Sequence, residues 1–214
     1  MDTITLRHTL PIVFAGSPPC GSDVWLAETT FRRGEKYLIE AASGTGKSSL
    51  CGYIYGYRRD YTGGIFFDER DVRSLTKRQW SALRNTSLAM MFQDLRLFPE
   101  LTALENVRIK NNLTRHKTEA QIAQLFEELG IADKRDSLVG KMSWGQQQRV
   151  AFVRMLCQKA DFMLLDEPVS HLDDANADVM ARMLEREAAA QGCGVVITSI
   201  GKHFRMPYDK TLAL

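Results

Sequence analysis

At 214 residues the chain is long enough for one sizeable core, or one core with an inserted subdomain, and too short for two large independent domains. Hydrophobic residues make up 44% and charged residues 25%, which excludes an intrinsically disordered chain. The 28 basic and 26 acidic side chains leave a net charge of +2; the basic pairs Arg32-Arg33, Arg58-Arg59 and Lys77-Arg78 are scattered rather than gathered, so no nucleic-acid partner is expected. Cys20, Cys51, Cys157 and Cys193 lie far apart with no C-x-x-C pair, which argues against a zinc site or a disulfide framework and fits a reducing, cytoplasmic compartment. No run of residues approaches the ~18 consecutive apolar positions that span a bilayer, and the opening "MDTITLRHTLPIVFAG" lacks the pattern of a signal peptide. A membrane role would need a second chain.

The first third reads as short strands, "TITLRH", "VWLAETTF", "KYLIEA" and "GIFFD", punctuated by Gly and Pro. From Ser74 to about Lys159 the periodicity becomes helical; "TALENVRIKNNL" and "TEAQIAQLFEELG" space apolar residues at i, i+3, i+4, with Gly130 placed to end the second. The last third alternates: strand "DFMLLD", helix "DANADVMARMLEREAAAQG", strand "CGVVITS" and a final strand "DKTLAL". A β-rich start, a helical insertion and a βαβ tail predict an α/β fold with a mostly parallel sheet.

The strand "KYLIEA" runs into "ASGTGKSS", which opens a helix, the context required of a phosphate-binding P-loop. Gly44 and Gly46 let the backbone wrap closely around phosphate, and the helix-start N–H groups face the anion. Lys47 would reach the β- and γ-phosphates and Ser48 would ligate Mg²⁺; with Ser43, Thr45 and Ser49 these residues make the candidate nucleotide-binding loop. Ala41 stands where the pattern G-x-x-x-x-G-K-[ST] has its first Gly, which is tolerable if its φ is negative. A second site follows in "FMLLDEP", an apolar strand ending in two carboxylates. Asp166 would hold Mg²⁺ and Glu167 would orient and deprotonate an attacking water. Adjacent side chains on a strand face opposite ways, so the strand must end at this pair.

Between these sites stands "KMSWGQQQRVAFVRML", and the order of motifs resembles the ATP-binding cassette (ABC) ATPases over nearly the whole chain. "MMFQD" corresponds to the family's glutamine after a strand (Gln93), "MSWGQ" to its signature L-S-G-G-Q (Ser143, Trp144, Gly145, Gln146) and "SHLD" to its D-loop (Asp173). The resemblance implies a P-loop cassette with an N-terminal antiparallel β subdomain and an inserted helical subdomain, residues 1–93 and 160–214 forming the catalytic core and about 94–159 the insertion. It implies ATP and Mg²⁺ as ligands, with Ser48, Gln93 and Asp166 at the metal and Gln93 and Glu167 at the reacting water. It also implies a head-to-tail dimer, with itself or a paralogous ATPase, in which the signature of one subunit closes over the nucleotide of the other. Ser143 is placed to cap the helix that follows it. Trp144 replaces the first signature Gly and either packs against the partner's P-loop or narrows the cleft, or turns aside into a hydrophobic rim. Phe14 is the candidate adenine platform, with Trp25 its competitor.

"MMFQDLRLFPELTALENV" is similar to the group containing lipoprotein-releasing, macrolide-exporting and cell-division ATPases. That implies a peripheral subunit on the cytoplasmic face of the inner membrane, its helical insertion meeting the coupling helices of an integral-membrane permease. The ending "DKTLAL" suggests no regulatory C-terminal domain. One departure concerns catalysis: aligning "GVVITSIGKHF" with the family's strand-Thr-His-Asp puts Ser199 at the switch histidine. A serine is shorter and carries no charge near pH 7, so the expectation is a slow ATPase, with a nucleotide-gated subunit that hardly hydrolyses as the alternative. His203, four residues on, is either a substitute swung back by a helical turn or a surface residue.

Overall fold

The computed structural model describes residues 1–214. In chain order the strands are β1 (Thr3–Pro11), β2 (Glu28–Arg32), β3 (Lys36–Glu40), β4 (Tyr61–Phe67), β5 (Arg70–Asp71), β6 (Leu88–Met91), β7 (Phe162–Asp166), β8 (Gly194–Ser199) and β9 (Lys210–Ala213). The helices are α1 (Lys47–Ile54), α2 (Lys77–Thr86), α3 (Ala103–Thr114), α4 (Glu119–Glu128), α5 (Trp144–Leu156) and α6 (Asp174–Gln191).

Two sheets result. β1 pairs antiparallel with β2 and β4, giving the order β2-β1-β4-β5. The other sheet runs β6-β7-β8-β3-β9, and every one of its pairings is parallel. All residues of β6, β7 and β8 are buried, as expected of parallel strands covered on both faces. The period of two then divides their side chains between two cores. Met163, Leu165, Val195 and Ile197 join a core shared with α3 to α6, while Phe162, Leu164 and Val196 join one shared with α1 and the antiparallel sheet. β3 lies between β8 and β9, so its end and the ends of β7 and β8 open on one edge, where loops of a parallel sheet bind ligands.

Helix starts follow local chemistry. Thr76, Thr102, Thr118 and Ser143 each accept from the backbone N–H three residues on, and Gln79, Glu105, Gln121 and Gln146 reciprocate. Such boxes satisfy two otherwise unpaired donors per helix. Gly130 sits two residues past α4 with φ +62°, a helix-ending conformation that favours glycine. Helices α3, α4 and α5 intervene between β6 and β7.

The expected strand "VWLAETTF" forms only from Glu28. Ser22 Oγ accepts from the N–H groups of Val24 and Trp25, and Leu26 takes φ +61° while donating to Thr9 O. These local turns bend the chain before pairing with β1 begins, and they release Trp25 from the sheet.

Candidate functional site

The P-loop emerges from β3 and closes into α1. Gly44 (φ +82°) and Gly46 (φ +100°) hold backbone conformations that side chains resist, and Gly46 serves as the N-cap residue of α1. A Cβ on Gly46 would lie 3.1 Å from Phe14 Cε2 and 3.2 Å from Trp25 Cζ2. Ala41 keeps φ outside the positive range and packs against the core, so the missing glycine costs nothing in backbone strain. Trp25 is 2% exposed and donates its indole N–H to Thr45 O at 2.9 Å. It is a prop beneath the loop. Phe14 is half-buried and lines a cavity of about 470 Å³ together with Gly44, Lys47, Gln93 and Glu167.

Lys47 is 5% exposed and donates to Ala42 O at 2.8 Å, with Glu167 Oε1 at 3.5 Å. Gln93, immediately past the residue after β6, accepts from Ser48 Oγ (3.3 Å) through Oε1 and donates from Nε2 to Glu167 Oε2 (3.4 Å). β7 ends at Asp166, and Glu167 turns off it with φ +50°, its N–H donating to Thr198 O. This break resolves the two-face problem: Asp166 stays 3% exposed and accepts from Thr198 Oγ1 at 2.7 Å, while Glu167 faces Lys47. Ser48, Gln93 and Asp166 line an adjoining cleft of about 410 Å³. Their oxygens suit a hard cation that takes its remaining ligands from phosphate and water, and no cluster of three or more His, Cys, Asp or Glu side chains competes as a metal centre.

Ser143 caps α5 through Gln146 N–H (3.4 Å), and Gln146 Oε1 accepts from Ser143 N–H (2.9 Å). Trp144 is 43% exposed and meets the His171 ring edge-on, centroids 5.6 Å apart, on the rim of the cleft that holds Ser48. A Cβ on Gly145 would meet only ordinary contact, 3.6 Å from Leu172, so nothing in its own chain demands glycine there. Asp173 caps α6, accepting from Asn176 N–H and side-chain amide; these bonds hold its carboxyl below the usual range. Gln148 ties α5 to the acid pair's loop by donating to Pro168 O at 2.6 Å.

At the end of β8, Ser199 is 1% exposed and donates to Lys202 O at 2.6 Å. Its hydroxyl is committed to the turn that follows, and the cavity wall is supplied by Ile200. Lys202 in turn donates to Leu172 O at 2.6 Å and pairs with Asp174 at 3.0 Å, linking this turn to the D-loop and α6. No helical turn follows Ser199. His203 packs edge-on against Tyr208 and bonds to Gly201 O, outside the lining of the P-loop cavity. Of its two readings, His203 takes the second, a residue of the outer turn.

Sequence reasoning missed Val13, Arg58 and Ile200 in the cavity wall and Tyr57, Phe92, Asp94, Arg96 and His171 in the adjoining cleft. Val13, Phe92, Asp94, His171 and Ile200 each stood next to a motif residue, whereas Tyr57, Arg58 and Arg96 had no such neighbour.

A protein-family model described as ABC transporter matches residues 27–170. The chain is 33% identical over 188 residues, covering 86% of itself and 84% of the relative, to the lipoprotein-releasing system ATP-binding protein LolD of Geobacter metallireducens. It is 35% identical over 170 residues to the macrolide export ATP-binding/permease protein MacB 1/2 of Paracoccus denitrificans, covering 78% of itself and 25% of that longer protein. Among solved structures, a dimeric bacterial ABC transporter cassette superposes with a TM-score of 0.77 at 23% identity, covering 91% of this chain and 87% of that one. That likeness is one of fold.

Proposed function

The chain belongs to the ABC transporter family, and from that premise we propose that it is the ATP-hydrolysing subunit of a lipoprotein-releasing or macrolide-exporting type of membrane complex. The observation that supports this most is the meeting of Lys47, Ser48, Gln93 and Glu167 around one cavity, with Asp166 beside it. The triphosphate lies in the loop from Ser43 to Ser49, against backbone N–H groups at the start of α1. Lys47 leaves Ala42 O and Glu167 for the β- and γ-phosphates, and Glu167 is thereby freed to accept a proton from the attacking water. Gln93, within reach of both Ser48 and Glu167, positions that water. Mg²⁺, held by Ser48, Gln93 and Asp166, would neutralise developing phosphate charge. Phe14 supplies a stacking face for the base.

Two copies of the chain, or one with a paralogous ATPase, pair head to tail, Ser143, Trp144, Gly145 and Gln146 closing over the partner's nucleotide and Asp173 shaping the D-loop beside it. Gly145, which no neighbour in its own chain requires, fits such an approach. No helix is long and apolar enough to cross a membrane. The likeness to the LolD and MacB proteins supports a permease that receives the motion, with the chain bound peripherally at the cytoplasmic face. Residues 94–159 form the unit that meets it.

Ser199 makes the reaction slow. Loss of one preorganised donor to the developing charge costs roughly 10²–10³ in rate, and the serine hydroxyl is already given to Lys202 O. The same observation, with aliphatic Ile200 on the cavity wall, favours a second reading in which ATP binding alone gates the complex. Light scattering with Glu167→Gln tests the dimer: ATP is expected to double the mass and Ser143→Arg to prevent it. A monomer at saturating ATP, with and without the permease, would refute closure between two copies of this chain.

A further inference from the structure

We propose that Arg58 is a nucleotide-binding residue that brings a second cation, beside Lys47, to the phosphate nearest the nucleoside. The assignment rests on the nucleotide reading of the P-loop and adds a residue that none of its motifs contains. Arg58 lies between α1 and β4 and lines the same cavity as Phe14, Gly44 and Lys47. Its Nη1 donates to Ser49 Oγ at 2.8 Å, on a side chain only 8% exposed in the first turn of α1.

Ser48 and Ser49 point ~100° apart around the helix. Ser48 faces Gln93 and, through it, Glu167; Ser49 faces Arg58. Lys47 and Glu167 mark the end of the cavity where the terminal phosphate reacts, so Arg58 stands on the other flank, towards the α-phosphate. The loop that carries it there is fixed. Gly56 has φ +74°, and a Cβ on it would lie 2.3 Å from the buried Trp80 ring. The guanidinium sits 5.4 Å from the Tyr53 ring centroid, and the Arg58 N–H donates to Gly52 O.

Each cation of the cavity holds a carboxylate here: Lys47 pairs with Glu167 and Arg58 with Asp60. A polyphosphate would take over both. The guanidinium fork has five donors, so it keeps Ser49 while donating to a phosphate oxygen. Lysine at this position would lose that double engagement.

The test is calorimetric titration of the full chain with ATP and with ADP, in Mg²⁺, for wild type and three variants. Arg58→Gln is expected to raise Kd about 10-fold for both nucleotides, because both carry the α-phosphate. Arg58→Lys is expected to fall between. Asp60→Asn separates binding from scaffolding: if Arg58 serves the phosphate, losing its carboxylate leaves Kd unchanged or lower. Equal weakening by Arg58→Gln and Asp60→Asn would mean that the pair merely holds the loop and would overturn the assignment, as would an Arg58→Gln chain that binds both nucleotides within twofold of wild type. A wild-type chain that binds neither ATP nor ADP would overturn the assignment together with the nucleotide reading beneath it.

Discussion

Substituting alanine at Gly46 and at Gly44 separates two costs within one loop. Both glycines have positive φ, +100° and +82°, and placing a side chain in such a conformation costs about 1–3 kcal/mol. At Gly44 the added Cβ meets nothing within 4 Å, whereas at Gly46 it meets Phe14 at 3.1 Å and Trp25 at 3.2 Å. Phe14, half-buried, has room to move; Trp25 is 2% exposed and tied to Thr45 O. Displacing it forfeits a hydrogen bond worth about 1 kcal/mol. Gly46→Ala is therefore expected to destabilise the fold by about 2–4 kcal/mol, and Gly44→Ala by about 1 kcal/mol less. In a chain of this size that places the Gly46→Ala midpoint roughly 4–16 °C below wild type. Thermal melts with and without ATP read both effects, since a ligand at 100 times its Kd adds about 2.7 kcal/mol; the ATP-induced rise should vanish in Gly46→Ala. A Gly46→Ala chain no less stable than Gly44→Ala, with its ATP response intact, would refute the packing argument.

Trp25→Phe keeps most of the ring and removes the bond to Thr45 O; a loss of about 1 kcal/mol in urea unfolding is expected, together with weaker ATP binding although Trp25 does not line the cavity. Lys110 gives a pH signature. It is half-buried beside Arg154 and Arg84, and burial first, then those two cations, lowers its pKa to about 8. Between about pH 8 and 10.5 the unfolded chain binds this proton and the folded chain does not, so this lysine makes stability rise with pH across that window. Lys110→Met should flatten that part of the profile, and an unchanged slope would place the titration elsewhere.

What the sequence made legible was local. The P-loop glycines, the acid pair at a strand end and the Ser143 cap each depend on residues within a few positions of one another, and each stands where its spacing indicated. Contacts between distant residues carried no such signal. The sequence around Trp25 reads as strand because Leu26 gives no warning of its positive φ, and Trp25's partner Thr45 lies 20 residues away. Leu95 and Arg96 are consecutive left-handed residues just after Gln93, and what holds them is Arg154, donating to both carbonyls at 2.6 Å from α5. Arg58 belongs to this class as well. Ser199 shows the limit from the other side: its identity was informative, but the direction of its hydroxyl depended on the turn at Lys202.

Whether the hydrolytic site is complete but slowed is decided by steady-state Mg²⁺-dependent ATP turnover of the purified chain, alone and with a permease partner. Measurable turnover is expected, abolished by Glu167→Gln and raised by Ser199→His by up to about 10²-fold. Bound ATP with no Glu167-dependent turnover in either setting would contradict it and leave a subunit that works by binding alone.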